Sequence, residues 1–86
     1  MEMGKKIKIL RIEQDLSSKE LAKKAGIAVV TLSRIANGHV GNNATISVLT
    51  QIAEALDVSI DWLIDENKDY PPPRQLVTNK QKKMKK

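Results

Sequence analysis

The chain has 86 residues, enough for one domain with a modest core. It holds no cysteine, one histidine and two aromatic residues, Trp62 and Tyr70; this excludes disulfides and thiolate metal sites and leaves no aromatic platform for stacking single-stranded bases. The net charge of +5 is unevenly placed, with +4 over residues 1–43, −5 over residues 44–66 and +6 over residues 67–86, so the first 66 residues are near neutral but polarised.

In chain order, the spacing predicts a first helix over Gly4–Gln14, with Ile7 and Leu10 turned to the core and Asp15 at its turn. Ser17 is a natural N-cap, and Glu20 three residues later completes an S-x-x-E capping box, so a second helix is expected over Ser18–Ala25. Its apolar face is Leu21, Ala22 and Ala25, and Ala22 supplies the small side chain that two steeply crossing helices need where they come closest. Gly26 ends this helix in a left-handed conformation, and Ile27 closes the corner. A third helix over Val29–Asn37 buries Leu32 and Ile35 and stops at Asn37-Gly38. His39–Ala44 reads as a polar loop. Thr45 caps a fourth helix whose apolar face is Ile46, Leu49, Ile52, Ala53 and Leu56, and Asp57 ends it where glycine is common. Ser59 caps a short fifth helix, Ile60–Ile64, which returns Leu63 to the core. The periodic pattern then stops. Tyr70-Pro71-Pro72-Pro73 reads as extended and polyproline-like, and Lys80–Lys86 as disordered. The expected division is a helical domain over residues 1–66 and a flexible, Pro-containing, Lys-rich tail over residues 67–86.

Leu16–Gly38 is therefore expected to form two short helices joined by a tight turn, a helix-turn-helix, which presents its second helix to the major groove of DNA. Four motifs in fixed order extend this reading: G-x-x-I-K-x-L-R at Gly4–Arg11, L-S-x-x-E-L-A at Leu16–Ala22, G-I-x-x-x-T-L-S-R-I-x-N-G at Gly26–Gly38 and I-A-x-A-L-x-V-S-I-D-W-L at Ile52–Leu63. Together they resemble the phage-repressor and Cro family, the lambda-repressor-like or XRE-type helix-turn-helix proteins, over residues 4–64. The resemblance implies an all-α, five-helix domain that binds a palindromic operator in double-stranded DNA as a symmetric homodimer. It nominates Val29, Val30, Thr31 and Arg34 as groove-facing, with Ser33 close by.

The side-chain chemistry is consistent with that assignment. Leu32 and Ile35 must point inward, so these positions cannot all be buried. A guanidinium at Arg34 can pair bidentately with guanine O6 and N7, and Val29 and Val30 can meet thymine methyls. Thr31 can reach base or phosphate. Candidate phosphate contacts are Ser18, Asn37, His39, Asn42, Asn43 and Thr45, helped by the amides at helix starts, with Lys5, Lys6, Lys23 and Lys24 at the periphery. Three positions depart from the family pattern. Ser18 stands where glutamine is common, Ala28 removes a Ser/Thr cap at a cost of about 1 kcal/mol, and Ala36 replaces a glutamate that pairs with the arginine of helix 1. Arg11 must then find Glu13, a backbone carbonyl, water or a phosphate.

On the first helix, Ile9 and Ile12 lie opposite Ile7 and Leu10. They are expected to be covered by a partner subunit or by Tyr70, Leu76 and Val77 of the tail; Ile60, Trp62 and Ile64 form the competing dimer surface. Lys80, Lys82, Lys83, Lys85 and Lys86 either extend the phosphate footprint or serve solubility. No paired carboxylates, nucleophile–base set or metal cluster suggests an enzyme, and neither a cofactor nor a metal is expected. With no membrane-spanning run and no apolar signal segment, the protein is expected in the cytoplasm. The leading expectation is a transcriptional repressor or autoregulator without a separate ligand-sensing domain. The alternative is an antitoxin-like or partner-binding protein for which DNA is secondary.

Overall fold

The computed structural model describes residues 1–39, 41 and 44–73; Val40, Asn42, Asn43 and residues 74–86 lie outside the described part. The described residues form five helices and no strand: α1 (Met3–Glu13), α2 (Ser18–Ala25), α3 (Val29–Ala36), α4 (Ile46–Leu56) and α5 (Ile60–Ile64). This is the expected all-α class, with α1 and α3 ending one residue earlier than the spacing suggested.

Local chemistry explains the boundaries. The Ser17 hydroxyl accepts the Glu20 amide at 3.0 Å while the Ser17 amide donates to Glu20 Oε1 at 2.8 Å, so the capping box is closed in both directions. Gly26 has φ +73°, and the Ile27 amide returns to the Ala22 carbonyl at 3.0 Å, which turns the chain sharply into α3. Thr45 and Ser59 cap α4 and α5 through bonds to the Val48 and Trp62 amides, each 3.2 Å long. Asp57 ends α4 in the left-handed region at φ +62°, and Asp15 turns the chain after α1 at φ +60°. Ala28 makes no side-chain cap, as its methyl group dictates.

The core lies where the five helices meet. Leu21 and Ala22 of α2 pack towards α3 and α4, while α1 sits against α3, α4 and α5. Ile7, Leu10, Leu32, Ile35, Ile52, Leu56, Trp62 and Leu63 are all buried. Ile46 departs from the expected apolar face of α4. It occupies the first turn of that helix, at the edge of the inward face, and remains 66% exposed. Past α5 the chain continues against the helices: Trp62 Nε1 donates to the Asp69 carbonyl at 3.2 Å, Tyr70 is half-buried against the core and the Tyr70 hydroxyl donates to Glu13 Oε2.

The capping box carries a pH signature. The bond from the Ser17 amide, then the Ser17 hydroxyl, holds the Glu20 carboxyl below its ordinary value of 4.5. A carboxylate with a depressed folded pKa contributes stability that is fully present above 4.5 and is lost as the pH falls through the folded value. Ser17→Ala is expected to cost about 1 kcal/mol at neutral pH. Glu20→Gln, which keeps an acceptor but cannot titrate, is expected to flatten the acid limb of the stability curve. Urea unfolding between pH 7 and pH 3 checks both, and an acid limb identical to wild type in Glu20→Gln would count against the assignment.

Candidate nucleic-acid interface

The turn at Gly26–Ala28 sets α3 across α2 with Leu32 and Ile35 inward, each 1% exposed. Helical periodicity then places Val30, Ser33, Arg34 and Asn37 along the opposite side, with Val29 and Thr31 flanking the start of the helix. Val29 is 45% and Val30 57% exposed; Arg34 and Asn37 are exposed, and Thr31 and Ser33 half-buried. The five positions nominated as base-reading therefore share one short helix, with Val30, Ser33 and Arg34 toward its outer side and Val29 and Thr31 at its flanks. Two adjacent valines left in water at a helix start give this surface an apolar tip beside a guanidinium. That pairing suits thymine methyls next to a guanine edge.

The nominated phosphate donors lie before and after this helix in the sequence. Ser18 is the first residue of α2, and Thr45 is the N-cap of α4, its hydroxyl already accepting from Val48. Both helix starts offer backbone amides to an anion. At the other end of α3, the Gly38 amide bonds to the Ile35 carbonyl at 3.1 Å and the His39 amide to the Arg34 carbonyl at 2.8 Å, which fixes where Asn37 and His39 emerge; both are exposed. Asn42 and Asn43 lie outside the described residues.

Two basic residues do not belong to this surface. Lys6, expected among the peripheral phosphate contacts, is completely buried: its Nζ donates to the Trp62 carbonyl at 2.5 Å and the Asp65 carbonyl at 2.7 Å, and sits 4.6 Å from the Trp62 ring centre. Burial lowers its pKa from 10.5, and Asp65 and then Asp69 oppose that shift. Arg11, lacking a glutamate at position 36, donates from Nη1 to the Leu16 carbonyl at 2.7 Å and ties the α1–α2 turn. Lys5, Lys23 and Lys24 are exposed.

The candidate subunit surfaces also change. Trp62 is 2% exposed, so only Ile64, at 40%, and the half-buried Ile60 remain of the α5 patch. Ile9 is 36% and Ile12 67% exposed, so the packed Tyr70 leaves Ile12 open; Leu76 and Val77 lie outside the described residues. Sequence reasoning missed the roles of Lys6 and of Gln14, whose Nε2 donates to the Leu56 carbonyl at 2.9 Å. A signal existed for both, since positions 6, 10 and 14 follow one another at i, i+4 on the side of α1 that buries Leu10. Among the described residues no helix is long and apolar enough to cross a membrane.

The architecture and the exposed third helix define a helix-turn-helix domain, and the sequence pattern of the helix-turn-helix family matches residues 7–63. The chain belongs to that family. It is 38% identical over 74 residues to the HTH-type transcriptional regulator SinR of Bacillus subtilis (strain 168), a match covering 86% of this chain and 66% of SinR, so it spans just under two thirds of that regulator. Among solved structures, it is similar to the master regulator for biofilm formation SinR in complex with DNA, with a TM-score of 0.65 and 40% identity over 73% of this chain and 98% of that one. It is also similar to the SinR protein/SinI protein complex, with a TM-score of 0.69 and 40% identity over 76% of this chain and 62% of that one.

Proposed function

We propose that this chain is a sequence-specific double-stranded-DNA-binding transcriptional regulator, a repressor or autoregulator, that reads the major groove with α3. The observation carrying this reading is the outer surface of α3, where exposed Val29 and Val30 adjoin Arg34 on a helix whose opposite side is sealed in the core. The likeness to SinR in complex with DNA supports it. In this reading Val29, Val30, Thr31, Ser33 and Arg34 meet bases. Ser18, Asn37, His39, Asn42, Asn43 and Thr45 meet phosphates, and the protein acts in the cytoplasm without catalysis. Selection of bound duplexes from a random pool tests it: the expected product is an enriched palindrome, and a pool that stays random is the opposing result.

A symmetric homodimer accounts for a palindrome. Ile9 and Ile12 are the larger apolar exposure on α1, and Ile60 with Ile64 is the alternative on α5. Ile9→Glu/Ile12→Glu is expected to shift the species seen in sedimentation toward monomer and to remove the stability that association contributes. Unchanged mass would move the dimer surface to α5. A protein partner is a second reading, supported by the likeness to the SinR protein/SinI protein complex.

A further inference from the structure

The position of α3 is fixed at two ends by different parts of the chain. Its start is held by the Gly26 turn. Its end rests on α1, where Gly4 is buried against the backbone of Ile35 and Ala36. A Cβ on Gly4 would overlap the Ala36 carbonyl oxygen and stand 3.0 Å from the Ala36 carbonyl carbon and 3.2 Å from the Ile35 oxygen. All three atoms are main chain, so no side-chain rotation relieves the clash; a helix has to move. Gly4 lies inside α1 and needs no left-handed backbone, so the glycine answers to contact distance alone.

We propose that Gly4 is a positioning residue for DNA recognition: its missing side chain lets the C-terminal end of α3 seat directly on α1 and so sets the tilt of the reading helix. The inference rests on the DNA-reading proposal above. Restoring ordinary van der Waals separation at this contact requires about 1 Å of movement. Pivoting at the Gly26 turn over eight residues, a helix length of about 12 Å, this is a tilt of about 5°. Arg34 and Asn37 lie near the displaced end, so base pairing by Arg34 suffers, whereas Ser18 on α2 and Thr45 on α4 keep their places. A base-reading geometry tolerates about 0.5 Å. Sequence-specific binding should therefore fall while phosphate-based binding persists.

The test compares wild type and Gly4→Ala on the enriched duplex and on a mixed-sequence duplex, by fluorescence anisotropy at a temperature where both proteins are folded by circular dichroism. The expected result is at least a tenfold loss on the enriched duplex with less than a twofold loss on the mixed one. Partial unfolding cannot imitate this, because it scales both affinities by the same folded fraction and leaves their ratio unchanged. A folded Gly4→Ala protein with the wild-type ratio overturns the proposal. Should the variant unfold, a crystal structure of wild type on its duplex decides instead: Gly4 still seated on the Ala36 carbonyl supports the proposal, and the two separated by a widened gap overturns it. A wild type that enriches no sequence defeats the DNA-reading proposal itself, which is a different outcome from enrichment with an unchanged ratio in the variant.

Discussion

Lys6→Met is expected to destabilise the fold by about 2 kcal/mol, a fall in melting temperature of about 8–16 °C for a domain of this size. Methionine matches the length and apolar stem of lysine, so packing against Trp62 survives. What is lost is the donor. The Asp65 carbonyl keeps the Lys68 amide at 3.0 Å, whereas the Trp62 carbonyl, deep beneath α1, loses the ammonium that lies 2.5 Å away. A buried acceptor left without a partner costs about 1–3 kcal/mol, and relief from burying the lysine charge offsets only part of that loss. The sign with pH follows from the lowered amine pKa. The unfolded chain holds the proton more readily than the folded one, so stability from this group rises with pH between the depressed folded value and 10.5. The difference between wild type and Lys6→Met should therefore widen as the pH is raised toward 10.5. Urea midpoints across that range check it, and a methionine variant as stable as wild type would mean that the ammonium is not what satisfies α5.

Arg34→Ala is expected to leave stability unchanged, because the side chain is exposed, while weakening binding to the enriched duplex by about 1–3 kcal/mol, roughly fivefold to 150-fold. The form of the loss distinguishes two roles. If the guanidinium reads guanine, discrimination relaxes at one base pair in each half-site and elsewhere stays intact. If it touches only phosphate, affinity falls evenly across sequences and the salt slope drops by about one. Affinities measured on single-base variants of the enriched duplex, at two salt concentrations, separate these outcomes. The first outcome is the one expected here.

Much of this fold was legible because its boundaries are set by local chemistry. Ser17 with Glu20, Gly26, Thr45 and Ser59 each act within four residues of themselves, so sequence spacing alone places the helices to within a residue. The inward pair Leu32 and Ile35 likewise assigns the outer surface of α3 without knowledge of the rest. What stayed hidden depends on residues far apart in sequence. Lys6 reads as one more surface cation until α5 brings the Trp62 and Asp65 carbonyls over it. Trp62 reads as a surface aromatic until Lys6 and the Asp69 carbonyl enclose it. Ile46 belongs to the apolar repeat of α4 by period, but it stands at the edge of the inward face, where Val48 and Leu49 of the same turn reach the core and Ile46 stays exposed. Gly4 looks like a helix-start glycine, and only the seating of α3 gives it a steric reason. The candidate reading residues were legible as a surface; which bases such a surface would meet depends on the DNA, which the chain does not encode.

The most direct test is a titration of the enriched duplex into the isotopically labelled protein, following the backbone amide resonances. Shifts are expected to concentrate at Ser18, at Val29–Asn37, at His39 and at Thr45, while the outer side of α1 around Ile9 and Ile12 and the segment 67–73 change little. Shifts centred on α1 or on residues 67–73, with α3 silent, would contradict DNA reading by α3.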